Sequence, residues 1–192
     1  MKGVIIFSSK YGSTAQYARW IGKATGLPVF NVKDSDADPS KYDFLIIGAP
    51  IIYYKLLNRK WMLSNWVNIE DKPIIFFTVS GAPAGPKLEA WFKNSLPEFM
   101  ISKMAHVALR GRQNPKELTL YDWVMLKIGG LKNKDPQARK EELYGFDYMD
   151  KSSIEPILKL VQQIQSRRDD GMLNETKELN LKPVLFDTDE KN

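Results

Sequence analysis

Residues 5–18, IIFSSKYGSTAQYA, decide the fold: an apolar strand runs into a Ser/Thr/Gly loop, and a helix begins where the loop ends. Ser9, Ser13 and Thr14 supply hydroxyls, Gly12 allows a tight or left-handed turn, and the first N–H groups of the helix are left unpaired. An anion is the natural occupant of such a place. The loop is neither GxxxxGK[ST] nor GxGxxG, which disfavours the triphosphate and dinucleotide versions of the device. Lys10 is its only full positive charge. The bland alternative is an ordinary strand-to-helix turn with Ser/Thr caps.

Outward from this stretch, apolar β-rich runs alternate with helix-like segments, the pattern of a parallel sheet covered on both faces. Strands are predicted at 3–7, 28–32, 44–48, 73–79 and 105–109, and helices at about 13–24, 58–68, 86–95, 118–131 and 153–168. The expected fold is α/β: a single doubly wound, five-stranded parallel sheet in the order 2-1-3-4-5. The domain spans 1–168, and an acidic tail covers 169–192.

A sheet of this kind binds ligands where the strand order reverses, so the loops after strands one, three and four should be able to grip one molecule. After the third strand come Gly48, Ala49, Pro50, Ile51, Ile52, Tyr53 and Tyr54, a rigid turn followed by two branched aliphatics and two aromatics able to cover a flat ring. After the fourth come Thr78, Val79, Ser80, Gly81 and Ala82, small residues that let backbone N–H groups approach a polar ring edge. Alone, the first of these reads as core and the second as a connector; together with the phosphate loop they read as one site.

Composition narrows the chemistry. The 192 residues suffice for one domain with a full core, and they contain no cysteine and a single histidine, His106. Disulfides, thiolate nucleophiles and multi-histidine metal sites are thereby excluded, and redox chemistry would need a borrowed organic cofactor. His106 lies in an apolar strand, as a core residue would. No unbroken apolar segment is long enough to span a membrane, and no signal-peptide pattern precedes the first strand, so a cytoplasmic location is expected, with peripheral membrane association as a further option. Residues 169–192 hold seven acidic against three basic side chains, so a chain of net charge +5 has a body of +9. Such a body suits a carboxylate-bearing substrate or an anionic membrane surface. No nucleic-acid motif organises the basic residues. In the 118–131 segment, Trp123 falls between Asp122 and Lys127 on the expected wet face, which suggests a homodimer seam, a membrane contact or a lid.

The stretch Ile5, Ile6, Phe7, Ser9, Gly12, Thr14 and Ala18 resembles the signature of the flavodoxin superfamily. That resemblance implies FMN as the cofactor, with its phosphate on Ser9, Lys10, Tyr11, Gly12, Ser13 and Thr14. It also implies the ring against Pro50, Ile51, Ile52, Tyr53 and Tyr54, and the polar edge at Thr78, Val79, Ser80, Gly81 and Ala82. Flavodoxin with FMN at the switch between strands one and three is itself the standard illustration of the switch-point rule, so this placement is a family inference.

Past the third strand, the segments GAPIIYY and VALRGR, the run LYDWVMLKIGGLKNKDPQARKEELYGFDYMD and the residues Ala108-Leu109-Arg110, Gly129-Gly130 and Ala138-Arg139-Lys140 resemble the flavodoxin-type, menaquinone-dependent protoporphyrinogen oxidases over roughly 1–165. The resemblance implies an FMN-dependent oxidoreductase with a porphyrinogen or a quinone as partner. It implies no acid or base residue, since the flavin carries the chemistry. The compact, neutral APAGP loop at 82–86 and the tail from Asp169 stand apart from that family. Two other readings remain open: a non-enzymatic flavodoxin-type electron carrier, and a flavodoxin-like scaffold without cofactor.

Overall fold

The computed structural model describes residues 1–132 and 134–166. The expectation for a separate acidic tail at 169–192 lies outside the described residues. Five parallel strands form the central sheet: β1 (Gly3–Phe7), β2 (Val29–Asn31), β3 (Phe44–Ile52), β5 (Ile74–Ser80) and β6 (Met104–Arg110), in the order β2-β1-β3-β5-β6. Counting parallel strands alone, this is the expected 2-1-3-4-5 order. The sixth member, β4 (Lys55–Leu56), folds back antiparallel on the end of β3.

Alternation along the strands sends side chains to two cores. On one face Val4, Ile6, Leu45, Ile47, Ile74 and Phe76 pack with Met62 of α2 (Arg59–Asn65), with Leu88 and Phe92 of α3 (Pro86–Lys93) and with Met100 of α4 (Glu98–Ile101). On the other, Ile5, Phe44, Ile46, Ile75, Phe77 and Val107 meet Tyr17, Ala18 and Ile21 of α1 (Ser13–Thr25) and Ile157, Val161 and Ile164 of α7 (Glu155–Ser166). Gly48 is required in β3: a Cβ there would lie 2.1 Å from the ring of Phe77 on the neighbouring strand. His106, expected in the core, stacks on Phe92 at 4.0 Å between ring centroids, with Nε2 2.9 Å from the Thr78 hydroxyl.

Two differences from the sequence expectations matter for the site. The third strand runs four residues past the expected end at 48, because the aliphatic run through Ile52 continues the pairing with β5 to Pro50–Val79 and then turns into the β3–β4 hairpin. After β6, the chain makes an excursion from the sheet. It enters and leaves through an antiparallel ribbon of β7 (Arg112–Gln113) and β8 (Phe146–Asp147), and between them two helices pack together, α5 (Leu120–Lys132) and α6 (Pro136–Tyr144). Among the described residues, no helix is long and apolar enough to cross a membrane.

Candidate functional site

The C-terminal ends of β1, β3 and β5 open into one cleft of about 250 Å³, roofed by the α5–α6 excursion. Its floor at the β1 end is the loop after Phe7. Gly12 adopts φ 88°, a left-handed conformation that frees the chain to turn into α1. The Gly12 N–H donates to Ser9 Oγ at 3.1 Å, and Ser8 N–H donates to the Gly48 carbonyl at 2.9 Å, which ties the loop to β3. No side chain caps α1 and no acidic residue stands in its first turn. The leading amides of a 13-residue helix are therefore open to an outside acceptor, at the positive end of its dipole. Ser13 Oγ accepts from the Arg112 amide at 3.2 Å, joining the loop to the excursion.

The second wall is the β3–β4 hairpin. Its register, Ile52 opposite Lys55, leaves a two-residue turn, and Tyr53 and Tyr54 fill it at φ 50° and φ 64°. Such a turn ordinarily takes Asn-Gly, because two positive φ values are needed. The two rings have different neighbours. Tyr54 packs against Trp91 at 4.8 Å between centroids, whereas Tyr53 stands in the cleft, edge-on to Tyr121 at 6.4 Å.

The third wall follows β5. Arg110 Nη2 donates to the Gly81 carbonyl at 2.7 Å while its guanidinium lies over the ring of Tyr148 at 3.5 Å, and Ser80 Oγ donates to the Ala82 carbonyl at 3.0 Å. The loop after β5 is thus held from beneath by the strand next to it.

The roof contributes Asp122, which is 2% exposed. Its carboxylate meets Lys10 Nζ at 2.5 Å, accepts from the Tyr53 hydroxyl at 2.6 Å, and accepts from the Tyr11 hydroxyl. Burial alone would raise its pKa, but the hydrogen bonds from Lys10, Tyr11 and Tyr53 prevail and hold the carboxyl at about 2. The Tyr53 phenol is pushed above its ordinary value by burial first and the Asp122 carboxylate second.

Of the residues that the sequence singles out, Ser9, Lys10, Tyr11, Ser13 and Thr14, the run Pro50–Tyr54, and Val79, Ser80 and Gly81 line this cleft together. Gly12, Thr78 and Ala82 do not line it. Gly12 shapes the loop, Thr78 is fully buried with its hydroxyl on His106, and Ala82 receives the Ser80 hydroxyl through its carbonyl. Sequence reasoning missed Arg112, Gln113, Leu118, Asp122, Leu126 and Phe146, all brought in by the excursion. Asp122 was expected on the wet face beside Trp123; Trp123 is 43% exposed, but Asp122 is turned inward to three donors. The one available signal was a lone carboxylate near the start of an otherwise apolar helical segment.

A phosphorylated flavin fits these features: an uncapped helix end with hydroxyls for an anion, and aliphatic and aromatic walls for a flat ring. The described residues contain no group of His, Cys, Asp and Glu able to hold a metal ion.

Residues 4–137 match the family model described as a flavodoxin domain. No curated protein matches the sequence. Among solved structures, a flavodoxin from the domain Archaea is 19% identical, covering 74% of this chain and 94% of its own, with a TM-score of 0.43. The Trp repressor binding protein from Bacillus subtilis is 15% identical, covering 78% and 100%, with a TM-score of 0.44. A flavodoxin variant from Fusobacterium nucleatum bound to flavin mononucleotide is 14% identical, covering 59% and 71%, with a TM-score of 0.34.

Proposed function

The chain belongs to the flavodoxin domain family, and on that premise we propose that it is an FMN-binding oxidoreductase. The observation that carries this reading is the meeting, in one cleft at the strand-order switch, of an uncapped helix N-terminus and the standing ring of Tyr53. The amides of α1 and the hydroxyls of Ser9 and Thr14 hold the phosphate. Ile52 and Tyr53 cover one side of the ring. Ser80 and Gly81, braced by Arg110, present the backbone to its polar edge. When bound, FMN supplies electron or hydride transfer. The protein's residues bind and orient it, and the α5–α6 roof limits water.

The finer reading is a protoporphyrinogen oxidase-like enzyme that uses a quinone. It draws support from the resemblance carried by Ala108-Leu109-Arg110, Gly129-Gly130 and Ala138-Arg139-Lys140, part of which belongs to the roof of the cleft. In this reading, 1–168 is the catalytic unit, 169–192 an acidic appendage, and the cytoplasm the site of action. The exposed Leu120, Tyr121 and Leu131 on α5 supply the contact for an apolar partner or a membrane surface.

The test is the visible absorption spectrum of the purified protein before and after FMN is added, followed by anaerobic photoreduction. Bound flavin that reaches its fully reduced form in one step supports the enzyme, and assays with porphyrinogen and quinones then check the substrate. A stable one-electron form supports an electron carrier instead. FMN at a hundred times its Kd should also raise the unfolding free energy by about 2.7 kcal/mol. A protein that takes up no flavin under any of these conditions overturns the proposal and leaves a scaffold.

A further inference from the structure

Asp122 is a buried carboxylate in the cleft, and the placement of a flavin in the cleft does not call on it. Its three donors come from two separate loops: Lys10 and Tyr11 from the loop after β1, and Tyr53 from the hairpin after β3. Asp122 itself belongs to α5, an element outside the central sheet, where its amide donates to Thr119 Oγ1 at 3.3 Å. A carboxylate withdrawn from water is costly unless it is paired and hydrogen-bonded. Here one carboxylate serves all three partners, so its loss deprives each of them of that acceptor.

Strain in the hairpin adds a second, independent observation. Tyr53 and Tyr54 both occupy left-handed backbone conformations, at φ 50° and φ 64°. That conformation is unfavourable for a residue with a Cβ. It persists where the surroundings over-determine it. Trp91 holds Tyr54 at 4.8 Å, and Asp122 holds the Tyr53 hydroxyl at 2.6 Å.

We propose that Asp122 is the positioning residue of the flavin cleft: it clasps the loop after β1 to the hairpin after β3 and holds the Tyr53 ring as a preformed wall for the isoalloxazine. The inference rests on the FMN reading above. Asp122 acts through Tyr53, Tyr11 and Lys10, not on the ring itself. Binding to a wall already in place spares the ligand the ordering of the hairpin. The clasp also ties up the charge of Lys10, leaving the phosphate to the amides of α1 and the neighbouring hydroxyls.

The experiment compares the wild type with Asp122→Asn, Tyr53→Phe and the double variant. FMN affinity is read by quenching of flavin fluorescence, and amide hydrogen exchange across residues 50–57 is read in the FMN-free protein. The expected result is an affinity loss of tenfold or more in each single variant, with no further loss in the double. Exchange should quicken in the hairpin of the variants while the amides of β1, β5 and the 44–49 part of β3 keep their protection. A merely structural role would lower protection throughout the sheet and would not couple the two substitutions.

Wild-type affinity in either single variant, or losses that add in the double, would overturn the clasp and leave the FMN reading standing. If Asp122→Asn does not fold, Tyr53→Phe carries the test, because it removes one hydroxyl and keeps the ring. If the wild type binds no FMN, the FMN reading fails by itself. The exchange data then decide the clasp, which falls if hairpin protection is unchanged.

Discussion

Ser13 is the first residue of α1, where a carboxylate would favour the helix dipole by about 0.3–1 kcal/mol and still repel a phosphate. Ser13→Asp should therefore fold and yet bind FMN at least a hundredfold more weakly, measured by fluorescence quenching; retained tight binding would move the phosphate elsewhere. Gly12→Ala separates backbone strain from ligand contact. At φ 88°, with no atom within 4 Å of the added Cβ, it should cost about 1–2 kcal/mol in urea denaturation, through conformation alone. At this scale the loop after β1 was legible, because a strand, a turn and a helix start are written in contiguous residues. Asp122 was not. Helical periodicity assigns a lone carboxylate to solvent, and only the arrival of Lys10, Tyr11 and Tyr53 makes a buried position affordable.

Among the elements, β3 shows how packing overrules a local reading. Gly48-Ala49-Pro50 reads as a rigid turn, yet the strand continues through it, because Pro50 still aligns with Val79 and the aliphatics beyond it fold back on β4. The lack of a side chain at Gly48 lets the ring of Phe77 lie against the strand. Gly48→Ala should cost about 1–3 kcal/mol by overpacking and lower the denaturation midpoint, with the slope unchanged. An unchanged midpoint would mean that the Phe77 ring can move aside. The ribbon of β7 and β8 was invisible in the sequence for a related reason: two residues on each side, separated by the whole excursion, leave no periodic signal.

For the whole molecule, acid stability should fall in two stages. Burial holds the His106 imidazole at about 4, below its ordinary 6.5, so the unfolded chain takes up a proton before the folded one. The stability this contributes is present above pH 6.5 and is lost as pH falls towards 4, a change of order 3 kcal/mol. Asp122, held at about 2 against an ordinary 3.8, contributes stability that is present above pH 4 and is lost as pH falls towards 2. Urea midpoints measured from pH 7 to pH 2 should show both limbs. His106→Phe should flatten the upper one and Asp122→Asn the lower, and a flat wild-type curve between pH 6.5 and 4 would count against a neutral, buried imidazole.

The sequence by itself determined the α/β alternation and the strand-to-helix loop at residues 9–14. Each of these depends on periodicity and turn chemistry within a few neighbouring residues. The tertiary structure decided that the excursion after β6 would roof the cleft and that Asp122 would join Tyr11 and Tyr53 across 111 and 69 residues of chain. No local pattern encodes that meeting, because the cost of burying the carboxylate is offset only once both loops and α5 are in place.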